Sequence, residues 1–324
     1  MSTDLTGTAP NWTPPARALF EDCLALAARF AGLWQTPAPR GDDVLREQLA
    51  SVLGIDVDTL TITAGVRAAA LTYARTERRL AVERPTFPGV VHTLRAAGAE
   101  VTLHDWADLP DTSPDTAIWL TSPFRNPDGR SLSDSERATL ARLAAAGRRV
   151  IVNGAYRWFG EHRGVPGADH LGSLHKIAGH GARLGWVISP DFFDRATAEL
   201  IGTPPSPVWQ RSWGLFLRRG GLDLLIEETA APALSAAAAF HERLSVPASG
   251  APHVLLTLRA GISEESALAY LADRCFRLNP GADFFGAAPA VRASFAGADA
   301  PAGRRLGDVV ANADLVISGL VGAP

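Results

Sequence analysis

The sequence predicts an α/β protein: a large three-layer αβα domain around a mostly parallel sheet, with a small α+β domain beside it. Three observations carry this. Short β-rich runs alternate with helical segments from about residue 58 to 190, and such alternation implies right-handed βαβ units with helices on both sheet faces. A second, shorter strand–helix–strand pattern follows a helical, alanine-rich stretch at 207–247. Finally, 47% of the 324 residues are hydrophobic and 20% charged, a globular balance in a chain long enough for two packed domains.

Taken in order, residues 1–40 are rich in Pro, Ala and Trp and read as an arm plus one helix, roughly Pro15 to Leu33. A helix near Asp43–Leu53 follows, with Gly54 as its C-cap. The β-rich runs are Leu60–Thr63, Leu80–Glu83, Glu100–His104, Ala117–Thr121, Arg149–Val152 and Leu184–Ser189. Helical segments lie between several of them, at Arg67–Arg75, Gly89–Ala97 and Asp134–Ala145; the last starts with Ser133 as N-cap and Glu136 three residues on, a capping box. Gly220-Gly221 breaks the 207–247 stretch, and the second pattern runs strand Val254–Leu258, helix Glu264–Arg274, strands Cys275–Leu278 and Ala290–Phe295, helix Gly303–Leu320. The expected division is 1–44 as arm and part of the small domain, 45–235 as the large domain and 236–324 as the small C-terminal domain.

A net charge of −3 without any basic block argues against nucleic acid or an acidic membrane as partner. No apolar run of about 18 residues could span a bilayer, and the first residues have neither a basic nor an apolar segment of signal-peptide type, so a cytoplasmic protein is expected. Cys23 and Cys275 form no redox or metal pattern and read as small apolar residues in a reduced compartment. The eight histidines include no His-x-x-x-His pair, so no metal is expected.

One count stands out. Lysine and arginine together number 31, and Lys176 is the single lysine, which leaves 30 arginines. Coding bias explains drift from lysine to arginine wherever a solvated charge suffices. It does not explain the survivor. Guanidinium stays protonated in proteins, so arginine cannot replace an amine that must attack a carbonyl. The neighbourhood, LGSLHKIAGHGARLGWVISP at 171–190, places Ser173 three residues before the lysine, Arg183 seven after and Gly185 nine after. That spacing suits pyridoxal 5′-phosphate (PLP): Lys176 for its aldehyde as a Schiff base, Ser173 and Arg183 for its phosphate, glycines for close backbone approach.

Other segments recur in a consistent order: Gly41-Asp-Asp-Val-Leu45-Arg46, Thr63-Ala-Gly65-Val66-Arg67, Arg84-Pro-Thr-Phe87-Pro-Gly, Ser122-Pro-Phe-Arg-Asn126-Pro-Asp-Gly129, Asn153-Gly-Ala-Tyr156 and Val291-Arg292-Ala-Ser-Phe295. From about residue 41 onward the chain resembles the PLP-dependent fold-type-I enzymes of the aspartate aminotransferase superfamily. The GHGARLGW run is most similar to the branch of alliin lyase and plant tryptophan aminotransferases. The resemblance implies a seven-stranded sheet and a homodimer with sites at the subunit interface. It further implies Val66 and Arg67 at a phosphate-binding helix start, Phe87 stacked on the pyridine ring, and Asn126 with Tyr156 at the phenolic oxygen. Arg292 would clamp the carboxylate of an amino-acid substrate, near Asn126. Lys176 would serve as general base at Cα.

The pattern also departs from the family. Asn153 stands where the family has an aspartate that keeps the pyridine nitrogen protonated, and an amide cannot hold that proton. Arg183 is one residue closer to the lysine than usual, Thr36 occupies the place of a tyrosine that reaches the partner's phosphate, and His175 replaces a small hydroxyl residue before the lysine. Three outcomes stand: an aminotransferase; a β-eliminating carbon–sulfur lyase or other specialised amino-acid-modifying enzyme with a weakened electron sink; or a non-catalytic relic of the fold. Trp12, Trp34 and Trp158 are candidates for an aromatic substrate pocket.

Overall fold

The chain begins with a strand too short to be read from its sequence, β1 (Thr3–Asp4), followed by helix α1 (Pro14–Ala27) and helix α2 (Asp43–Leu53). The computed structural model describes residues 2–7, 10, 12–30, 32, 35–194, 204–246, 249–286, 288–313 and 315. Asp42 caps α2 by accepting from the Leu45 amide, and Gly54 closes it in the left-handed region at φ 65°, as its sequence predicts. Helix α1 ends at Ala27, short of the expected Leu33, which lies outside the described residues together with Trp34.

The α/β core then unfolds in sequence: β2 (Leu60–Thr63), α3 (Val66–Glu77), β3 (Arg79–Glu83), α4 (Pro88–Ala96), β4 (Glu100–His104), β5 (Ala117–Thr121), α5 (Asp134–Ala145), β6 (Val150–Asn153), β7 (Asp169–Ser173), α6 (His175–Ala178) and β8 (Gly185–Ile188). The capping box at Ser133 and Glu136 is present. The seven strands order as β2-β8-β7-β6-β5-β3-β4, and β8 alone runs against its neighbours. A mostly parallel sheet buried on both faces explains the fully buried apolar runs of β5 and β6.

Strand β7 has no counterpart in the expected elements. Its sequence, DHLGS, has poor strand propensity. It is held by its neighbours: Tyr73 and Arg149 bond the buried Asp169, and Gly172 passes under Trp186, where a Cβ would sit 2.3 Å from the indole. Only glycine fits there.

After β8 come α7 (Pro207–Arg218), α8 (Gly221–Leu225), a π-helical turn (Ile226–Ala230) and α9 (Ala231–Leu244). The break at Gly220-Gly221 is where the sequence puts it. Then follow β9 (His253–Thr257), α10 (Glu264–Asp273), β10 (Phe276–Arg277), β11 (Asn279–Pro280), β12 (Ala290–Ser294) and α11 (Ala300–Ala313). Strands β11-β12-β9 make an antiparallel sheet, and β1 pairs in parallel with β10. The expected strand at Cys275–Leu278 is thus the shorter β10, and β11, just beyond it, serves another sheet. These elements share an apolar core of their own, around Phe240, Leu256, Leu271, Phe295 and Leu306, which also takes in Leu5. No helix among the described residues is long and apolar enough to cross a membrane.

Candidate active site

A cavity of about 340 Å³ opens where the C-terminal ends of β5 and β6 and the turns after β2 and β7 meet the β11-β12-β9 sheet. Strand ends of a parallel sheet are where such folds build sites, because the crossover turns gather there.

Below β2 the chain turns at Gly65, whose φ of 110° is closed to L-residues with side chains, and α3 starts at once. Gly65, Val66, Arg67 and Ala68 all line the cavity, so the first turn of a twelve-residue helix borders it. The Ala68 amide donates to Gly65 O at 3.0 Å, whereas those of Gly65, Val66 and Arg67 have no intrahelical acceptor and suit an anion. Strand β5 delivers Thr121, and the turn closed by Gly129 delivers Asn126, 4% exposed. Strand β6 ends on Asn153, whose Oδ1 accepts from the Ala155 amide at 3.1 Å. That bond leaves the amide nitrogen as the group available to the cavity. Tyr156 follows, packed on the buried His253 ring at 4.6 Å.

Lys176 sits on α6, a helix of four residues that cannot satisfy its own carbonyls. Side chains from elsewhere bond carbonyls of α6 and of the residues that flank it. Trp12 donates to Ala178 O at 2.8 Å, Trp158 to Ser173 O at 3.0 Å, Trp209 to Ala182 O at 2.7 Å and Thr229 to Ile177 O at 3.0 Å. This answers the expectation of an aromatic substrate pocket. Trp12 and Trp158 do not line the cavity; their indoles pin the lysine segment, and Trp12 also packs against Phe20, Trp213 and Phe216. Trp34 lies outside the described residues.

Nine of the ten residues singled out from the sequence border this one cavity. They are Val66, Arg67, Phe87, Asn126, Asn153, Tyr156, Lys176, Arg183 and Arg292. The tenth, Ser173, does not: it is fully buried, and its hydroxyl is bonded to His175 Nδ1. Lys176 Nζ lies 4.8 Å from the centre of the Tyr156 ring and 5.8 Å from that of Phe87. Arg292 comes from the middle of β12, 4% exposed, with Nη1 donating to Thr6 O at 3.4 Å and its guanidinium 5.1 Å from the Phe284 ring.

Sequence reasoning missed part of the wall. Asn279, Asp283 and Phe284 line it, as do Thr6, Gly7, Ala155 and Thr121. Asn279 is there because it faces Arg292 in the β11–β12 register, and no local motif announces a cross-strand neighbour. His175 and His180 also line it.

The electrostatics are one-sided. Lys176, Arg67, Arg183 and Arg292 face the space, against a single carboxylate, Asp283, among the described lining residues. Burial opposes ionisation of Tyr156, yet the Lys176 and Arg292 charges outweigh it and hold the phenol below its ordinary value. The Tyr156 hydroxyl, Asn126 Oδ1, Asn279 Oδ1 and Arg292 Nε are all buried without a hydrogen-bond partner. Unpartnered buried polar atoms are costly, and four around one cationic cavity describe a space built for a polar, anionic guest.

Residues 6–275 match the aminotransferase class I and II family, and the chain belongs to it. Solved structures of similar fold include an aminotransferase from Staphylococcus aureus, at TM-score 0.81 and 17% identity over 97% of this chain and 94% of that one. Another is the aspartate aminotransferase of Thermus thermophilus with maleate, at TM-score 0.80 and 20% identity over 96% and 91%. A third is LysN, the alpha-aminoadipate aminotransferase of Thermus thermophilus complexed with N-(5'-phosphopyridoxyl)-L-leucine, at TM-score 0.77 and 21% identity over 96% and 92%. Among curated proteins, the HTH-type transcriptional regulator TauR of Rhodobacter capsulatus is 28% identical over 201 residues; the match takes in 56% of this chain and 41% of the regulator's length.

Pyridoxal phosphate is the cofactor this family implies, and the cavity fits it. The cationic wall and the α3 start suit its phosphate. The amine of Lys176 stands within the same space as two aromatic rings, and the partnerless Tyr156 hydroxyl is a donor for a phenolic oxygen.

Proposed function

We propose that the protein is a pyridoxal-phosphate enzyme that acts at Cα of an amino acid, and that it transfers the amino group. The observation that carries this is the placement of the lone lysine: Lys176 shares one cavity with Tyr156, Asn126 and the buried Arg292. When bound, the cofactor supplies an aldehyde for amines and a ring that withdraws electrons from the substrate Cα. Lys176 holds it through its amine, with Arg67, Arg183 and the α3 amides around its phosphate and Phe87 against its ring. Tyr156 and Asn126 serve its phenolic oxygen. Arg292 binds the substrate carboxylate by its fork of N–H donors, and burial makes that pairing strong. Once free, Lys176 Nζ takes the Cα proton. Asn153 donates a hydrogen bond to the ring nitrogen but carries no charge to keep it protonated.

That last point supports a second reading, prompt elimination of a β-substituent, which needs less stored charge in the ring. The likeness to a regulator supports a third, ligand binding without turnover. The family likeness supports a homodimer with the cavity at its interface, and a cytoplasmic setting suits two unpaired cysteines, Cys23 and Cys275.

One experiment sorts these readings. The purified protein with added PLP should show a visible band that borohydride abolishes and that Lys176→Ala lacks. A colourless wild-type protein would sink the proposal. Incubation with amino acids should then yield pyridoxamine phosphate and a keto acid. Ammonia plus a keto acid with PLP regenerated means elimination, and colour without product means binding alone.

A further inference from the structure

The lysine segment carries two imidazoles that proton transfer at Cα does not use. His175 and His180 both border the cavity, their rings 5.4 Å apart and 26° from parallel. Beneath them Ser173 is fully buried and cut off from the cavity. Its hydroxyl bonds His175 Nδ1, and the Trp158 indole fixes its carbonyl. With Nδ1 engaged, Nε2 is the imidazole nitrogen left over, and no hydrogen bond among the described residues occupies it.

The protonation state follows from the surroundings. Burial, then the charges of Lys176, His180 and Arg67, hold His175 well below the usual histidine range. The ring is therefore neutral at neutral pH and owns one N–H. A serine hydroxyl that donates to Nδ1 places that N–H on Nε2.

We infer that His175 is an anchor for the cofactor phosphate, donating from Nε2–H, and that Ser173 is a positioning residue that orients it. This rests on the pyridoxal-phosphate reading of the cavity. It accounts for two departures from the family pattern at once. A hydroxyl residue before the lysine is replaced by a longer donor, and the serine three residues before the lysine supports that donor instead of reaching the ligand. Arg67 and Arg183 are exposed at the same wall, so water screens their charges. A donor held in place by a buried hydroxyl and a stacked ring loses less freedom on binding.

The test compares two ligands that differ by the phosphate alone. PLP and pyridoxal are titrated into the protein and followed by absorbance and tryptophan fluorescence. His175→Phe keeps the ring volume and the stack on His180 but has no N–H. It should weaken PLP by about 10- to 100-fold, the usual worth of a hydrogen bond to a charged group, and leave pyridoxal within about twofold. His175→Gln, whose amide can replace Nε2–H, should recover most of the loss and serves if the Phe variant does not fold. Ser173→Ala should weaken PLP a few-fold in the wild-type background and not at all beside His175→Phe, because a positioning residue has nothing left to position. Unchanged PLP affinity in both His175 variants, or equal weakening of PLP and pyridoxal, would overturn the inference. A wild-type protein that binds neither ligand would overturn the reading of the cavity instead.

Discussion

Asn153 is fixed by one backbone hydrogen bond, and that bond decides what it can offer. Its Oδ1 is spent on the Ala155 amide, so the cavity meets an NH2 donor. An aspartate here would keep the same bond with one oxygen and present the other, charged, to the cofactor ring. Asn153→Asp is therefore expected to speed exchange of the substrate Cα hydrogen for deuterium by about tenfold or more, roughly 1.4 kcal/mol or more of barrier. Proton NMR of an amino acid in deuterated buffer reads it, and an unchanged rate means the residue does not face the ring nitrogen. At this scale much of the site is legible from sequence. Lysine, tyrosine and arginine at motif positions carry chemistry that few other residues can perform. Ser173 departs from its expected role because spacing from Lys176 fixes its place on the chain but not which way a strand residue points. Asn279 escapes a sequence reading because cross-strand register brings it in, and register is not a local property.

Among the elements, those with strong local signals match closely: α2, α5, β2, β4 and β5 have the bounds their sequences predict. Strand β7 is invisible in the sequence because tertiary contacts, not propensity, make it. Strand β3 shows a hidden element of another kind. Its last residue, Glu83, is fully buried, and it accepts from the Trp106 indole at 2.6 Å and from the Thr86 hydroxyl at 3.4 Å. It thereby ties β3 to the turn that carries Phe87. Burial pushes its carboxyl from 4.5 up to about 7, against the nearby Arg125 charge. The folded state then binds the proton more tightly than the unfolded chain. The resulting stability is fully present below about pH 4.5 and is lost as pH rises through about 7. Glu83→Gln keeps the neutral shape at every pH. Urea unfolding should show the wild type losing of order 3 kcal/mol relative to this variant between pH 4.5 and 8. Parallel stability profiles for the two proteins would show that Glu83 is not held neutral.

In the molecule as a whole, the cavity is a seam between the cores packed around the seven-stranded sheet and the core of the antiparallel sheet. Thr121, Asn153 and Lys176 stand on the seven-stranded sheet and its turns, whereas Asn279, Phe284 and Arg292 belong to the antiparallel sheet with its separate apolar cluster. Alternating strand and helix patterns announce both units in the sequence, but nothing in those patterns says how one docks on the other. The join is made by long-range pairs such as His253 Nε2 bonding Arg125 O at 2.8 Å and the Thr86 amide donating to Phe284 O at 3.0 Å. Along the same seam stand four like-signed side chains and several unpartnered polar atoms, which by themselves work against the join. An anionic cofactor reverses both terms, so its binding should stabilise the docking of the cores and not the larger sheet alone. At a PLP concentration a hundredfold above its dissociation constant, mass action adds about 2.7 kcal/mol, a rise of several degrees in Tm for a chain of this size. Calorimetry should show that gain together with a single sharper transition, and Lys176→Ala should keep only the part due to phosphate and ring contacts. A Tm that rises while the antiparallel sheet still unfolds first, followed by hydrogen exchange at β9 and β12, would mean that the cofactor is held by the larger sheet and that the seam is not closed by it.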